Sequence, residues 1–466
     1  MTQFSNIEEP VQGSFYSARQ AMRRHVTGGN VLIFATIMAF IVANIPSVNS
    51  YYFDFWAQEV RLQVGEFNLF SHGGHHMTVL QFINDAMMSI FFFAIGLEIK
   101  REILVGELSS LKKAILPIIA AIGGMVVPVV IFLLFGWGTD YVGGAAIPMA
   151  TDIAFSLGIL GMLGPRVPIS LKIFLTTLAV VDDIGGIIVI AIFYSSNIDV
   201  MMLIYALVLL VVLILGARFK IQSKMFYLLI GMGVWYLFLN SGIHSTIAGV
   251  LVAFCIPSTP LFEPKIYIRK IRNAISNFHA EDDERLNKRT ILTKNQMDWL
   301  KQVESASDKV ISPLQDLEDS LHPIVNFVII PFFAFANAGI SMNNIDITTL
   351  FEGVSLAVMC GLMVGKVVGI FSFSWLAIKM NIAPMPQYSN WKMLMSVALL
   401  GGIGFTVSMF IANLSFGSIG VDGLQLLNQS KLGIIVGSIA SGLLGYIMLR
   451  VTLPKRKAKP LSGLVD

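Results

Sequence analysis

Twelve apolar stretches near the length of a bilayer-crossing helix run through this chain, at residues 29–46, 79–99, 114–136, 144–163, 169–194, 201–216, 225–240, 242–257, 322–341, 351–379, 391–416 and 431–452. A helix rises 1.5 Å per residue, so about 20 residues traverse a hydrocarbon core roughly 30 Å thick. Lipid offers backbone N–H and C=O groups no partner, so segments at that depth must bond internally. Composition agrees, with 55% of the 466 residues hydrophobic and 13% charged, against roughly 25% charged in a soluble domain. The sequence therefore predicts an all-α, multi-pass membrane protein.

Basic residues test the count independently, because Lys and Arg concentrate in cytoplasmic loops. One set of alternate segments carries Arg19, Arg23 and Arg24; Lys100, Arg101, Lys112 and Lys113; Arg166 and Lys172; Arg218, Lys220 and Lys224; the long segment after 257; Lys379; and Arg450, Lys455, Arg456, Lys457 and Lys459. The opposite set holds only Arg61. Twelve crossings with both termini cytoplasmic follow, with tails at 1–28 and 453–466 around span blocks at 29–257 and 322–452. The formal net charge of +3 reflects this bias and no nucleic-acid surface. The N-terminal residues are polar for too long to form a cleavable signal, so the first stretch directs insertion. Cys255 and Cys360 lie in apolar stretches without a C-x-x-C pattern and read as packing thiols.

Two polar excursions interrupt the spans. The outer loop at 47–78 alternates through Val60–Val64 and Phe67–Leu69 around Gly65-Glu66, which predicts a β-hairpin at 60–69. An isolated hairpin is marginal in water, so this one is expected to pair with another chain. His72, His75 and His76 in the same loop lack an ordered scaffold and are not read as a metal site. The inner loop at 258–321 is rich in both charges and fits either partial helix or a solvated linker.

Against this apolar background three acids stand out: Asp152 in IPMATDIAFSLGIL and the pair Asp182-Asp183 in IFLTTLAVVDDIGGIIVIAIF. An ionised acid at bilayer depth costs several kcal/mol, so each is a candidate functional residue. Asp183 lies eleven residues from Lys172, about 16 Å and hence near the midplane. Adjacent helical residues point about 100° apart, so one carboxylate can face an ion cavity and its neighbour another helix. A purely structural pairing of these acids meets a scarcity of partners, with Lys366 read as the one lysine deep in another stretch. The fourth stretch carries Gly143, Gly144 and Pro148 just before Asp152, and the eleventh carries Gly401-Gly402-Ile403-Gly404 at its centre. Interrupted segments in two halves point to inverted repeats with unwound helices at a midplane site. Glycine also serves packing, as the four-residue spacing of Gly433, Gly437, Ser441 and Gly445 shows.

Protons and a small hard cation compete for carboxylate oxygens, and the Thr151 hydroxyl suits the same ion. Competition with alternating exposure yields antiport, and the adjacent acids titrate as one unit. A sodium-coupled solute symporter is the alternative and requires further polar recognition groups near the crossing. A membrane enzyme requires a catalytic motif, and neither H-E-x-x-H nor G-x-S-x-G is present.

ATDIAF at 150–155, LAVVDDIGGI at 178–187, INDAMMSIFFFAIGLEIKRE at 83–102, SGIHSTIAG at 241–249, LEDSLHP at 317–323, PFFAFANAG at 331–339, GKVVGI at 365–370 and GGIGFTVSMFIA at 401–412 together resemble the bacterial NhaA sodium/proton antiporters, in that family's order and over nearly the whole chain. Inverted repeats are a known property of that family, so the architecture rests on the resemblance and not on glycines alone. The resemblance implies two discontinuous helices crossing near the midplane, Asp183 as the direct ligand of transported Na+, and Asp182 as proton carrier or partner of Lys366. It implies that Thr151 and Asp152 belong to the ion site, with Asp152 balancing helix-dipole ends. Exchange of external H+ for internal Na+ or Li+, driven by membrane potential, with more protons than metal ions moved, is expected in a bacterial inner membrane without a cofactor. Roles in pH homeostasis and salt tolerance, and a homodimer through the hairpin, follow in the same way. Glu98, Arg101, Glu102 and Glu318 match a cytoplasmic pH-sensing cluster, and the first three also fit a helix-end ion-pair network. His244, in the eighth stretch, suits either pH sensing or packing. The inner loop is longer and more charged than that family's pattern.

Overall fold

The computed structural model describes residues 28–61, 63–64, 67–68, 71–72, 75–195, 198–260, 264–276, 294–341, 347–417 and 421–454. The arginine-bearing tail at 1–27, the hairpin turn Gly65-Glu66, the loop stretch 277–293 and the basic tail from 455 lie outside these residues.

The described chain is almost entirely helical. Eight helices are long and apolar enough to cross a membrane: Val79–Leu104, Leu111–Gly136, Val142–Met162, Ile169–Phe193, Val200–Arg218, Pro313–Asn337, Gly353–Lys379 and Asp422–Thr452. Two bent pairs, Gly28–Asn44 with Asn49–Ala57 at 111° and Trp391–Gly401 with Phe405–Phe416 at 41°, bring the number to ten. Length and composition stop there, because two stretches read as spans fold as shorter helices, Lys224–Leu239 and Thr246–Cys255. The second is shortened by a turn at Gly242, whose φ of +79 is one that side-chain-bearing residues rarely adopt.

Helix Val79–Leu104 organises the interior. Phe91, Phe92, Ile95 and Ile99 face one apolar core, shared with the broken segments and Ile169–Phe193. Phe93 and Leu97, on its other side, face a second core with Tyr227, Val252 and Leu317. Helices Leu111–Gly136 and Gly353–Lys379 approach backbone to backbone, since a Cβ at Gly369 would stand 2.1 Å from the Gly123 carbonyl oxygen. Small residues permit such contact where apolar burial gives helices no preference over lipid. Three π-turns, Ile83–Met87, Val325–Ile329 and Gly361–Gly365, interrupt helices of this interior. Such turns re-aim side chains, and the third ends just before Lys366.

Three regions refine the expectation. The inner loop contains helices Pro264–Ser276 and Lys294–Asp308, settling for those residues a choice between helix and linker. The ninth stretch begins early, at Pro313, where the Ser312 hydroxyl accepts from Gln315 N and a proline fits the first turn. The last helix begins at Val421 and not 431, so Lys431 lies inside it and is 5% exposed. Lys366 is therefore not alone as a deeply placed lysine. In the outer loop Gln63–Val64 pairs antiparallel with Phe67–Asn68, and Ser71–His72 with His75–His76.

Candidate functional site

The two glycine-rich segments break where they meet. In the first, short turns at Val142–Gly144 and Ile147–Met149 give way to extended backbone at Ala150, and a helix restarts at Ile153. Pro148 supplies no N–H and so cannot continue a helical ladder. In the second, Gly402–Gly404 separates Trp391–Gly401 from Phe405–Phe416. A Cβ at Gly402 would lie 2.5 Å from the Leu362 carbonyl oxygen, and one at Gly404 3.1 Å from that of Ala150. Glycine lets the break sit this close to Ala150 of the first segment and to Leu362 of helix Gly353–Lys379.

Unwinding frees backbone groups that buried structure must satisfy, and each segment satisfies the other. Asp152 N donates to Ile403 O at 2.6 Å. The Ser156 hydroxyl donates to Leu400 O at 3.0 Å, and reciprocally the Ser408 hydroxyl donates to Ile147 O at 2.7 Å. Ser438, from the last helix, accepts from Gly404 N and Phe405 N, both at 3.3 Å. Asp152 joins the two restarting helices. Its Oδ1 accepts from Phe155 N at 3.0 Å, while Oδ2 accepts from Thr406 N at 3.1 Å and the Thr406 hydroxyl at 2.7 Å. A carboxylate between two helix N-termini faces two positive dipole ends, which favour its charge.

Beside this crossing lies a second constellation. Lys366 Nζ donates to Asp182 Oδ2 at 2.5 Å and to the Thr151 hydroxyl at 2.9 Å, with both charged side chains fully buried. The Thr151 hydroxyl is 2.7 Å from the same Asp182 oxygen and 2.9 Å from Gly401 O, and its one proton serves one of them at a time. Thr151 thus ties the broken fourth stretch to the broken eleventh and to the acid pair. Asp183 points elsewhere. It is 4% exposed and lines a cavity of about 810 Å³ with Thr151, Asp152, Thr406, Glu98 and Glu318. Among the described residues no hydrogen bond reaches Oδ1 of Asp182 or of Asp183. Orphaned buried carboxylate oxygens are rare and call for a cation, a proton or water.

A family model described as "Na+/H+ antiporter 1" matches residues 19–449. The chain is 52% identical over 445 residues to "Na(+)/H(+) antiporter NhaA" of Phocaeicola vulgatus, covering 95% of this chain and 98% of that protein. It is 54% identical over 434 residues to a protein of the same name from Bacteroides fragilis, covering 93% and 97%. A further relative of that name, from Sulfurimonas denitrificans, is 42% identical over 432 residues, covering 92% and 94%. The chain belongs to the NhaA family of Na+/H+ antiporters.

The other residues that the NhaA resemblance singles out fall into two groups. Arg101 bridges Glu318 at 2.8 Å and Glu102 at 2.9 Å, all three partly exposed, and Glu98 lines the cavity near them with Glu318. His244 stands at the start of helix Thr246–Cys255, whereas Lys100, next to the Arg101 cluster, donates to the carbonyls of Phe254 and Ile256 at that helix's end. Ten helical residues separate the two, about 15 Å. His244 bonds the Thr246 hydroxyl at 3.1 Å, stands 3.6 Å from Asp85 and rests edge-on to Phe410.

Sequence reasoning missed Thr406, Ser438 and Asp85. It also missed an amide chain in which Asn413 donates to Asn337 and Asn337 to Asn84, each at 2.9 Å. Asp85 was legible by the signal that found the other acids, a charge within an apolar stretch. The hydroxyls and amides had no such mark.

Proposed function

We propose that this chain exchanges internal Na+ or Li+ for external H+ across a bacterial inner membrane, in twelve crossings with both termini cytoplasmic. The observation that carries this reading is the unequal surroundings of two adjacent acids. Both leave Oδ1 unbonded among the described residues, but Asp182 is held through Oδ2 by Lys366 and Thr151, whereas Asp183 borders the cavity.

Asp183 is the oxygen donor that takes Na+. Among the described residues no three His, Cys, Asp or Glu side chains stand close enough to hold an ion together. A sodium ion there completes its shell with hydroxyl, carbonyl and water oxygens, of which the Thr151 hydroxyl is nearest in role. With Na+ on Asp183, ionised Asp182 and protonated Lys366, the site's charges cancel. With both aspartates protonated and Lys366 still charged, the site carries one positive charge. Two protons entering for each Na+ leaving thus moves one net charge inward, and the membrane potential drives the cycle. Asp152 holds the two helix starts together, so the crossing can tilt as a unit between exposures. The reciprocal hydroxyl caps on the broken segments support an inverted-repeat relation between them. Glu98 and Glu318, on the cavity wall, form the regulatory group with Arg101 and Glu102, with His244 acting separately. The hairpin at 60–69 contributes to a homodimer.

The symporter alternative is not supported: the relatives carry antiporter names, and the cavity wall away from the acids is largely apolar. The test is transport in proteoliposomes. Sodium leaving loaded vesicles should acidify the lumen, potassium should not replace it, and clamping the potential should speed exchange. Clamp-insensitive exchange defeats the two-for-one count, and equal response to sodium and potassium defeats the reading as a whole.

A further inference from the structure

The inner-loop helix Pro264–Ser276 differs from every other described segment in combining strong basicity with an uncovered apolar edge. It carries Lys265, Arg269, Lys270 and Arg272 and no acid. Its partner, Lys294–Asp308, mixes both signs. Tyr267 and Ala274 are buried between the two helices, while Ile268 and Ile275 are 50% and 61% exposed. At 100° per residue Ile268 and Ile275 stand about 20° apart, with Arg272, Lys265 and Arg269 following within roughly 100° on the side away from the partner helix. The helix therefore presents an isoleucine edge continuous with a row of long basic side chains. Ile266, on the opposite side, takes no part.

We infer that this edge is seated on the anionic surface of the bilayer, with Ile268 and Ile275 in the acyl boundary and Lys265, Arg269 and Arg272 among acidic phospholipid headgroups. An acid-free basic face beside exposed apolar residues is the pattern of an in-plane interfacial helix, and long basic side chains extend from apolar positions into the headgroup layer. Charge selects the occupant, because the cytoplasmic leaflet is negative and attracts each basic group near it. Tether length enforces proximity. Eight residues lie between the end of helix Thr246–Cys255 and Pro264, so the nine residue steps limit the separation to about 32 Å even when fully extended. The ninth-stretch helix that carries Glu318 follows Lys294–Asp308 after four residues. Lipid charge thereby gains a route to the cavity wall. This inference rests on the proposed topology, which makes the loop cytoplasmic.

The test introduces Ile275→Cys in full-length chain carrying Cys255→Ala and Cys360→Ala, labels it with an environment-sensitive fluorophore, and reconstitutes it in phosphatidylcholine with or without phosphatidylglycerol. Phosphatidylglycerol should shift the label to an apolar signal that lipid-attached quenchers reach. Arg269→Gln should lower the seated-to-free ratio about fivefold, high salt should act likewise, and exchange in neutral vesicles should be unchanged. A label that stays in water in both lipids, or is quenched equally with and without phosphatidylglycerol, overturns the inference. A membrane-impermeant thiol reagent separates the two readings. Its reaction with position 275 from outside intact cells removes the topology, whereas an inside-facing but unseated helix removes this inference alone.

Discussion

Two groups of acids border one cavity, and they differ mainly in how much water reaches them. At the crossing, Asp182 and Lys366 are fully buried at 2.5 Å. In the other group, Arg101 and Glu318 meet at 2.8 Å with side chains 32% and 16% exposed. Near water such a pair contributes little, because solvent screens it and long side chains lose freedom. In the dry crossing the same chemistry leaves no neutral alternative: removing one partner strands a charge. The comparison separates the proposed ion site, where an unpaired charge is costly, from a screened network proposed to tune it.

Asp183→Asn breaks the comparison if it fails. The substitution should abolish sodium-driven proton movement in proteoliposomes while the protein inserts and melts near its normal temperature, since among the described residues no hydrogen bond is lost at Oδ1. Near-normal exchange would move the ion site elsewhere.

Lys366→Ala should destabilise the fold by about 3–5 kcal/mol, the usual consequence of leaving a buried charge without its partner. Lys379→Ala, at an exposed position over the Trp375 ring, should cost about 1 kcal/mol or less. Adding Asp182→Asn to Lys366→Ala should recover much of the lost melting temperature, because no unpaired charge then remains. Additive losses in the double variant would show that packing, and not charge, dominates at Lys366.

How much of this was legible follows from what each residue type signals. Apolar runs and their basic flanks located the helices, and Gly402, Gly404 and Pro148 marked the breaks, because few other residues tolerate such backbones. Charges in apolar runs marked Asp152, Asp182, Asp183 and Lys366. The hydroxyls that hold the crossing carried no mark: Thr36, Thr176 and Ser396 bond to the carbonyl four residues earlier, and nothing in sequence separates them from Thr406 or Ser408. Lys431 was missed for a different reason. Residues 421–430 are too polar to read as a span, yet they continue the last helix and carry the lysine inward.

Thr406→Val tests the hidden part of the crossing. It removes the 2.7 Å hydroxyl bond to Asp152 but keeps the backbone one. A hydrogen bond to a charged group is worth about 1.5–3 kcal/mol, so melting should fall correspondingly. If Asp152 organises both helix starts, sodium affinity should fall too. Unchanged affinity with lower stability would confine Thr406 to a structural part.

Shared occupancy predicts a pH effect without any variant. If protons and Na+ use the same carboxylates, a tenfold rise in proton concentration should raise the apparent sodium constant about tenfold per competing proton, or about 1.4 kcal/mol each. Maximum rate should change little where binding limits turnover. A sodium constant indifferent to pH would sink the shared site.

Arg101→Gln is expected to do least and discriminates most finely. Its bridges to Glu102 and Glu318 are partly exposed, so the loss should be about 1 kcal/mol or less and should shrink further in high salt. The informative reading is kinetic. If the cluster regulates, the substitution should shift the pH at which maximum rate falls while the sodium constant at each pH stays put, because the proposed ion site keeps its groups. If the cluster is only a surface network, neither quantity should move. A change in the sodium constant with an unmoved rate profile would mean that Glu98 and Glu318, which share the cavity wall with Asp183, act on the ion directly, and the two groups would then be one site.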